Sequence, residues 1–87
     1  MAAININRFQ YDEQNEAEMD EHDVKFWEVE EVRLSETWRL RKNKRKHRAK
    51  QPYIMIGFTE AGRLLWIPIQ PVDKAEGVWR PATAFTP

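Results

Sequence analysis

The stretch YIMIGFTEAGRLLWIPIQ, residues 53–70, decides the fold. Residues 53–59 are rich in the β-branched, aliphatic and aromatic side chains that strands favour, and residues 64–70 have the same character. Between them, TEAGR at 59–63 supplies a short turn that contains glycine. Pro68 removes one backbone donor from the return strand, which predicts an edge position or a bulge. We therefore predict a β-hairpin over residues 53–70.

Further strands are predicted on both sides of this hairpin in the sequence. Upstream, Trp38 and Leu40 alternate with two arginines. This alternation predicts a strand with the apolar side chains inward and with Arg39 and Arg41 outward. Downstream, VWRPATAF at 78–85 is predicted to form the last strand.

The N-terminal part is predicted to contain one short strand and two helices. Alternating apolar residues indicate the strand within residues 4–11. Asp12 is a candidate N-cap for a polar helix that runs to about His22, and an apolar stripe predicts an amphipathic helix over residues 23–34. We expect one α+β domain over residues 1–87, with a short N-terminal strand, two helices and then a three- to four-stranded, mostly antiparallel sheet.

Composition excludes several classes of protein. The chain has 87 residues, 41% of them hydrophobic, which suffices for one modest core. It has no cysteine, so disulfides and thiolate metal sites are excluded. The N-terminus lacks the pattern of a signal peptide, and no apolar run approaches the length of a membrane span. We therefore expect a soluble cytoplasmic protein with no membrane association, and no metal or cofactor is predicted.

Charge is strongly segregated along the chain, although the net charge is zero. Residues 1–37 hold eleven Asp and Glu against three Lys and Arg, whereas RLRKNKRKHRAK at 39–50 holds eight Lys and Arg and no acid. Such a basic segment is suited to polyanions, above all to phosphates, and the alternative is a solvated loop. The predicted RNA-binding residues are Arg39, Arg41, Lys42, Lys44, Arg45, Lys46 and Arg48.

Four motifs occur in the order in which one known family has them. FQYD at 9–12 resembles F-x-W-D, and EHDV at 21–24, followed by KFWEVEEV, resembles K-H-G-V-S-F-E-E-A. IGFTEAGRLL at 56–65 resembles I-G-x-[ST]-x-x-G-R-x-L, and VWRPATA at 78–84 resembles I-R-x-I-[ST]-A. The chain thus resembles the BrnT family, the toxin half of a bacterial type II toxin–antitoxin pair, over roughly residues 9–85.

The resemblance implies a RelE-like fold and a ribonuclease that cleaves RNA and stops translation. It also implies neutralisation by an antitoxin that carries a ribbon-helix-helix DNA-binding part. The chain departs from the family pattern at Asp23, where the family has glycine, and at Lys25, where it has serine. Family members usually continue into an Arg-rich C-terminal helix, whereas this sequence stops at FTP, residues 85–87.

Metal-free RNA cleavage needs a base for the 2′-hydroxyl, an acid for the leaving oxygen and fixed positive charge at the phosphorane. Arginine suits the last role because its planar fork pairs with two phosphate oxygens. Arg63 and Arg80 match the motif arginines, and we expect them to cluster on one sheet face. His22 matches the motif histidine and is the candidate base, with Thr83 as a further participant.

Each of these residues has an alternative role within the fold. Arg63 could pair with Glu60 across the turn, Arg80 with Glu76 or a helix carboxylate, and His22 could cap its helix. The sequence does not choose the base, since other candidates exist: His47, Tyr53 and Glu60.

Two classes of function follow from these patterns. The first is a toxin that acts as a metal-independent endoribonuclease, with RNA and an antitoxin protein as partners. The second is a non-catalytic module that binds RNA or a protein on the same scaffold. Trp66 and Trp79 are interpreted as packing or partner-binding residues, and exposed aromatics indicate a possible homodimer. A DNA-binding regulator is a weaker alternative, because no recognition helix is predicted.

Overall fold

The computed structural model describes residues 4–44 and 50–87. In this part of the chain the elements are β1 (Arg8–Phe9), α1 (Glu13–Glu21), α2 (Phe26–Ser35), β2 (Arg39–Lys42), β3 (Tyr53–Phe58), β4 (Leu64–Asp73) and β5 (Val78–Pro81). The strands form one sheet in the order β1-β5-β4-β3-β2. The predicted α+β class is confirmed. The sheet has five strands rather than three or four, because β1 joins it in parallel with β5.

The predicted hairpin is the pair β3 and β4. The strands are antiparallel, with Tyr53 opposite Ile69 at one end and Phe58 opposite Leu64 at the other. Gly62 has a φ of +88°, the left-handed conformation that glycine adopts without steric cost. The hairpin therefore closes through a turn that its glycine makes possible.

Pro68 does not mark an edge strand, because β4 is the middle strand of the five. Its carbonyl accepts a hydrogen bond from the amide of Ala82 at 2.9 Å, so this side of Pro68 faces the end of β5. Regular pairing with β5 stops at Pro81, and the next backbone pair joins Trp66 to Phe85. Proline has no backbone N–H, so Pro68 cannot donate a hydrogen bond towards the chain that follows β5. Regular β4–β5 pairing ends at this point, and the proline is therefore tolerated in a central strand.

One face of the sheet is covered by α2. Val29 and Val32 of this helix are fully buried, as are Met55 and Ile67 on the sheet beneath them. Gly57 permits the close approach, since a Cβ built there would lie 2.7 Å from Cγ1 of Val32. The covered face therefore carries the apolar core.

The two helices begin where their capping residues allow. The Asp12 carboxylate accepts from the amide of Asn15, and the Asn15 side chain accepts from the amide of Asp12, which confirms the predicted N-cap of α1. The second helix starts at Phe26, later than the predicted residue 23, because Asp23 has a φ of +57°. Neither helix in residues 4–44 and 50–87 has the length and apolar content needed to cross a bilayer.

The opposite face, which we call the open face, carries the alternate residues of β2, β3 and β4. The register places Arg39, Ile56, Trp66 and Phe85 in one row across it. A second row contains Arg41, Ile54 and Pro68. The prediction that Arg39 and Arg41 point away from the core is confirmed, since both are exposed.

We predict that Gly57→Ala lowers the free energy of unfolding by about 1–3 kcal/mol, because the added methyl overpacks the contact with Val32. Val32→Ala should make room for that methyl. The double variant should therefore be less destabilised than the two single losses combined. Denaturant unfolding measures all four proteins, and strict additivity would contradict the predicted contact.

Candidate nucleic-acid interface

Cationic and aromatic side chains combine on the open face. The Arg41 guanidinium carbon lies 5.2 Å from the centre of the Trp66 ring, within the range of a cation–π contact. The Phe85 ring follows along the same row, with its centroid 6.4 Å from that of Trp66. Guanidinium planes and aromatic rings are the groups on which unpaired bases stack. The open face therefore presents side chains of the types on which unpaired bases stack.

A groove borders the open face where α1 runs beside the end of β5. We call it the α1–β5 groove. Its helix wall is formed by Gln14, Glu18 and His22, which repeat every four residues and therefore lie along one side of α1. Its sheet wall includes Arg80 and Thr83. The larger part has a volume of about 480 Å³, and a smaller part of about 370 Å³ lies around His22.

His22 connects the groove to the open face. Its ring centroid is 5.8 Å from that of Phe85, and its backbone amide donates to the carbonyls at the end of α1. His22 is thus the C-cap residue of α1, which agrees with the alternative role of capping the helix. Its imidazole is also exposed beside the aromatic row. Thr83 faces His22 across the smaller part of the groove. Its hydroxyl oxygen is buried and finds no hydrogen-bond partner within the described ranges.

Arg80 is tied to the first turn of α1. Its Nε and Nη2 donate to the two carboxylate oxygens of Asp12 at 2.8 and 3.0 Å. These hydrogen bonds are the main cause that lowers the pKa of Asp12 from 3.8 to about 2. Sequence reasoning left a helix carboxylate open as the partner of Arg80, and Asp12 is that carboxylate rather than Glu76.

Arg63 lies elsewhere, at the other end of α1. Its Nη1 donates to the Asp23 carbonyl at 2.7 Å and contacts both carboxylate oxygens of Glu28 at 3.2 Å. Its Nη2 donates to the carbonyl of His22 at 3.4 Å. The partner is therefore Glu28 on α2 and not Glu60.

The expected cluster of Arg63 and Arg80 does not form. One guanidinium binds the N-cap of α1 and the other binds its C-cap, about 15 Å apart at the rise of an α-helix. The two arginines also lie on different sides of the sheet, since Arg80 pairs in register with Gln70 and Arg63 reaches α2 on the covered face. Ion pairs between residues distant in sequence leave no local pattern, so the separation of Arg63 and Arg80 could not be predicted from the sequence.

The predicted basic residues divide between different places. Lys42 alternates with Arg41 and so belongs to the opposite side of β2, in register with Tyr53. Lys44 is exposed just beyond the strand. The remaining predicted RNA-binding residues, Arg45, Lys46 and Arg48, fall outside the described residues, as does His47.

Sequence reasoning missed the glutamine and glutamate side chains of the groove. Gln14 and Glu18 come from α1, Gln70 from β4 and Gln51 from the segment before β3. A sequence signal existed in the four-residue repeat of Gln14, Glu18 and His22, which places them on one helix side. No group of three or more His, Asp and Glu residues suited to a metal ion occurs in the part of the chain that the structure describes.

Comparison with protein-family models, with curated proteins and with solved structures finds no match to this chain. The BrnT resemblance therefore remains an expectation that depends on the four quoted motifs.

We predict that the Asp12–Arg80 pair makes the fold sensitive to acid. Because the folded state lowers the pKa of Asp12, its stabilisation is present above pH 4 and is lost as the pH falls towards 2. Asp12→Asn keeps a capping side chain but no charge. Its free energy of unfolding should therefore change less than that of the wild type between pH 5 and 2.

Denaturant unfolding between pH 5 and 2 measures the free energy of unfolding of the wild type and of Asp12→Asn. Glu13→Gln removes a charge from the exposed adjacent position and should retain the wild-type pH dependence. If the free energy of unfolding of Asp12→Asn falls with pH in parallel with that of the wild type, the ion pair does not contribute to the acid sensitivity of the fold.

Proposed function

We propose that the protein is a cytoplasmic toxin of the BrnT type, a metal-independent endoribonuclease that cleaves single-stranded RNA and thereby stops translation. The observation that carries the proposal is the α1–β5 groove. Of the four predicted catalytic residues, Arg80 lines its larger part and His22 its smaller part, and Thr83 borders both, beside the cationic and aromatic row of the open face. The four ordered motifs supply the link to the family.

RNA binding would begin on the open face. Arg39 and Arg41 are exposed cations that can contact phosphates. The Arg41 guanidinium lies over Trp66, so a base can stack on its outer plane or on Phe85. The basic residues between β2 and β3 would extend this electrostatic attraction. A strand that follows the row from β2 towards Phe85 reaches His22 at the border of the groove.

Cleavage would then use groups at that border. The His22 imidazole accepts the proton of the 2′-hydroxyl, and the 2′-oxygen attacks phosphorus. The bond to the 5′-oxygen breaks, leaving a 2′,3′-cyclic phosphate, and water protonates the departing 5′-oxygen. Arg80 does not share this phosphate with His22, because Asp12 holds Arg80 at the N-cap of α1, about 15 Å from the C-cap His22 at the rise of an α-helix. Its Nη1 would contact the bound RNA elsewhere in the groove. Thr83 contributes to the wall of the groove beside His22. Arg63 acts only in the fold, holding the end of α1.

The partner implied by the resemblance is an antitoxin of the ribbon-helix-helix type. An acidic or aromatic segment of that protein would compete with RNA for the open face. Such a segment would match the charge of Arg39 and Arg41 and the half-buried ring of Trp66.

A second candidate function is a non-catalytic RNA-binding module. One observation favours it: both motif arginines are held by carboxylates, Arg63 by Glu28 and Arg80 by Asp12. A paired guanidinium presents less net positive charge to a phosphorane. In this function the open face binds RNA and the groove performs no chemistry.

We predict that Arg41→Ala weakens binding of a single-stranded RNA about fivefold to thirtyfold, because stacking and charge are lost together. The slope of log affinity against log salt should become shallower by about 0.7 if Arg41 contacts one phosphate. Fluorescence anisotropy with a labelled RNA at several salt concentrations gives both values. Lys74→Ala removes a charge from the turn between β4 and β5, away from the open face, and should bind like the wild type.

We predict that His22→Gln reduces RNA cleavage by about 100-fold or more while leaving RNA affinity unchanged, since a general base is removed from a bound substrate. Gel analysis of end-labelled RNA measures the rate, and the products should carry a 2′,3′-cyclic phosphate. Growth arrest on expression of the wild type, absent with His22→Gln, should accompany this result. If the wild type binds RNA but does not cleave it, the proposal of a ribonuclease toxin is wrong and the non-catalytic RNA-binding module is supported. If it does not bind RNA, both candidate functions are refuted.

A further inference from the structure

We infer that the larger part of the α1–β5 groove is a base pocket that selects guanine. This inference rests on the proposed function, since it requires that the protein binds single-stranded RNA. It adds a specificity that neither the motifs nor the basic segment indicates. The residues that would read the base are Glu18 and Arg80, with glutamine amides around them.

The groove has the size and lining of a small-ligand site. Its volume of about 480 Å³ falls in the range of ligand pockets. Three amide side chains enter it from three separate parts of the chain, those of Gln14, Gln51 and Gln70. Amides both donate and accept hydrogen bonds, which suits the mixed edges of a nucleobase. The lining is therefore polar on several sides around one space.

Two charged groups in the groove keep free hydrogen-bonding capacity. Glu18 has no hydrogen bond or ion pair to any of the residues described, so its carboxylate can accept from a ligand. Arg80 is fixed in orientation by Asp12 through Nε and Nη2, and the donors of Nη1 have no partner in residues 4–44 and 50–87. The buried hydroxyl of Thr83 also lacks a partner among these residues and lies in the same wall. The groove thus contains an Arg80 side chain of fixed orientation. It also contains a Glu18 carboxylate and a Thr83 hydroxyl that lack hydrogen-bond partners among the described residues.

Guanine is the base whose edges match this set. Its N1–H and N2–H are two adjacent donors, which one carboxylate can accept together. Its O6 and N7 are two adjacent acceptors, and either can accept a hydrogen bond from Nη1 of Arg80. Adenine and cytosine each present a ring-nitrogen acceptor beside their amino group, and that acceptor would face the Glu18 carboxylate unfavourably. Uracil presents one donor between two carbonyl oxygens, which the carboxylate would also repel.

The inference is tested with four 2′-O-methyl pentanucleotides, UUGUU, UUAUU, UUCUU and UUUUU. The methyl group blocks the 2′-oxygen, so affinity is measured without cleavage. Fluorescence anisotropy should give about tenfold tighter binding of UUGUU than of the other three by the wild type. Glu18→Gln should bind all four about equally, because the amide replaces a carboxylate acceptor by a donor at the guanine edge and also removes the repulsion of the other bases.

Glu13→Gln provides the matched control, since it removes the same charge from an exposed position of α1 that does not line the groove. It should retain the preference for UUGUU, and circular dichroism verifies that both variants are folded. Equal wild-type affinity for the four pentanucleotides would overturn the guanine pocket and leave the proposed RNA binding intact. A guanine preference that survives in Glu18→Gln would also overturn it. Absence of binding to any pentanucleotide would refute the proposed function itself.

Discussion

The carboxylate of Asp12 holds together the parts of the molecule on which the groove depends. One of its oxygens accepts from the amide of Asn15 and caps α1, and the same carboxylate receives two hydrogen bonds from Arg80 on β5. Helix α1 is polar and buries only Asn15 and Met19, so apolar packing alone holds it weakly. The ion pair therefore fixes the start of α1 against β5, beside the larger part of the groove.

The second motif arginine, Arg63, binds at the other end of α1. Arg63 donates to the carbonyls of His22 and Asp23 and to the carboxylate of Glu28, and so joins the end of α1 to the start of α2. Both arginines thus contribute to the fold first. Of the two, Arg80 lines a cavity in the part of the chain that the structure describes, which separates its proposed contact with RNA from the structural role of Arg63.

Much of the fold could be predicted because its signals are local. The alternation of Trp38, Arg39, Leu40 and Arg41 predicted which side of β2 meets the core, and the glycine-containing turn predicted the hairpin. The late start of α2 could not be predicted in this way, because it depends on the left-handed conformation of Asp23.

The candidate site was harder to predict than the fold, because its residues meet through tertiary contacts. Of the predicted set, Thr83 lies beside Arg80 in the larger part of the groove and beside His22 in the smaller part, whereas Arg63 lies apart from them. The partners Asp12 and Glu28 are distant in sequence from the arginines they bind, and no periodic pattern reveals such pairs. Pro68 was predicted to mark an edge strand or a bulge, whereas β4 is the middle strand and Pro68 lies beside the end of β5. The position of that strand end depends on tertiary pairing, which the local sequence does not reveal.

The indole N–H signals of the four tryptophans test the central claim, that RNA lies on the open face, most directly. The indoles of Trp38 and Trp79 donate to the carbonyls of Arg33 and Asn5, and Trp27 is exposed on α2, so only Trp66 lies in the proposed path. Titration of ¹⁵N-labelled protein with a single-stranded 2′-O-methyl RNA should shift the Trp66 signal and leave that of Trp27 in place. A shift of Trp27 with Trp66 unmoved would contradict binding on the open face.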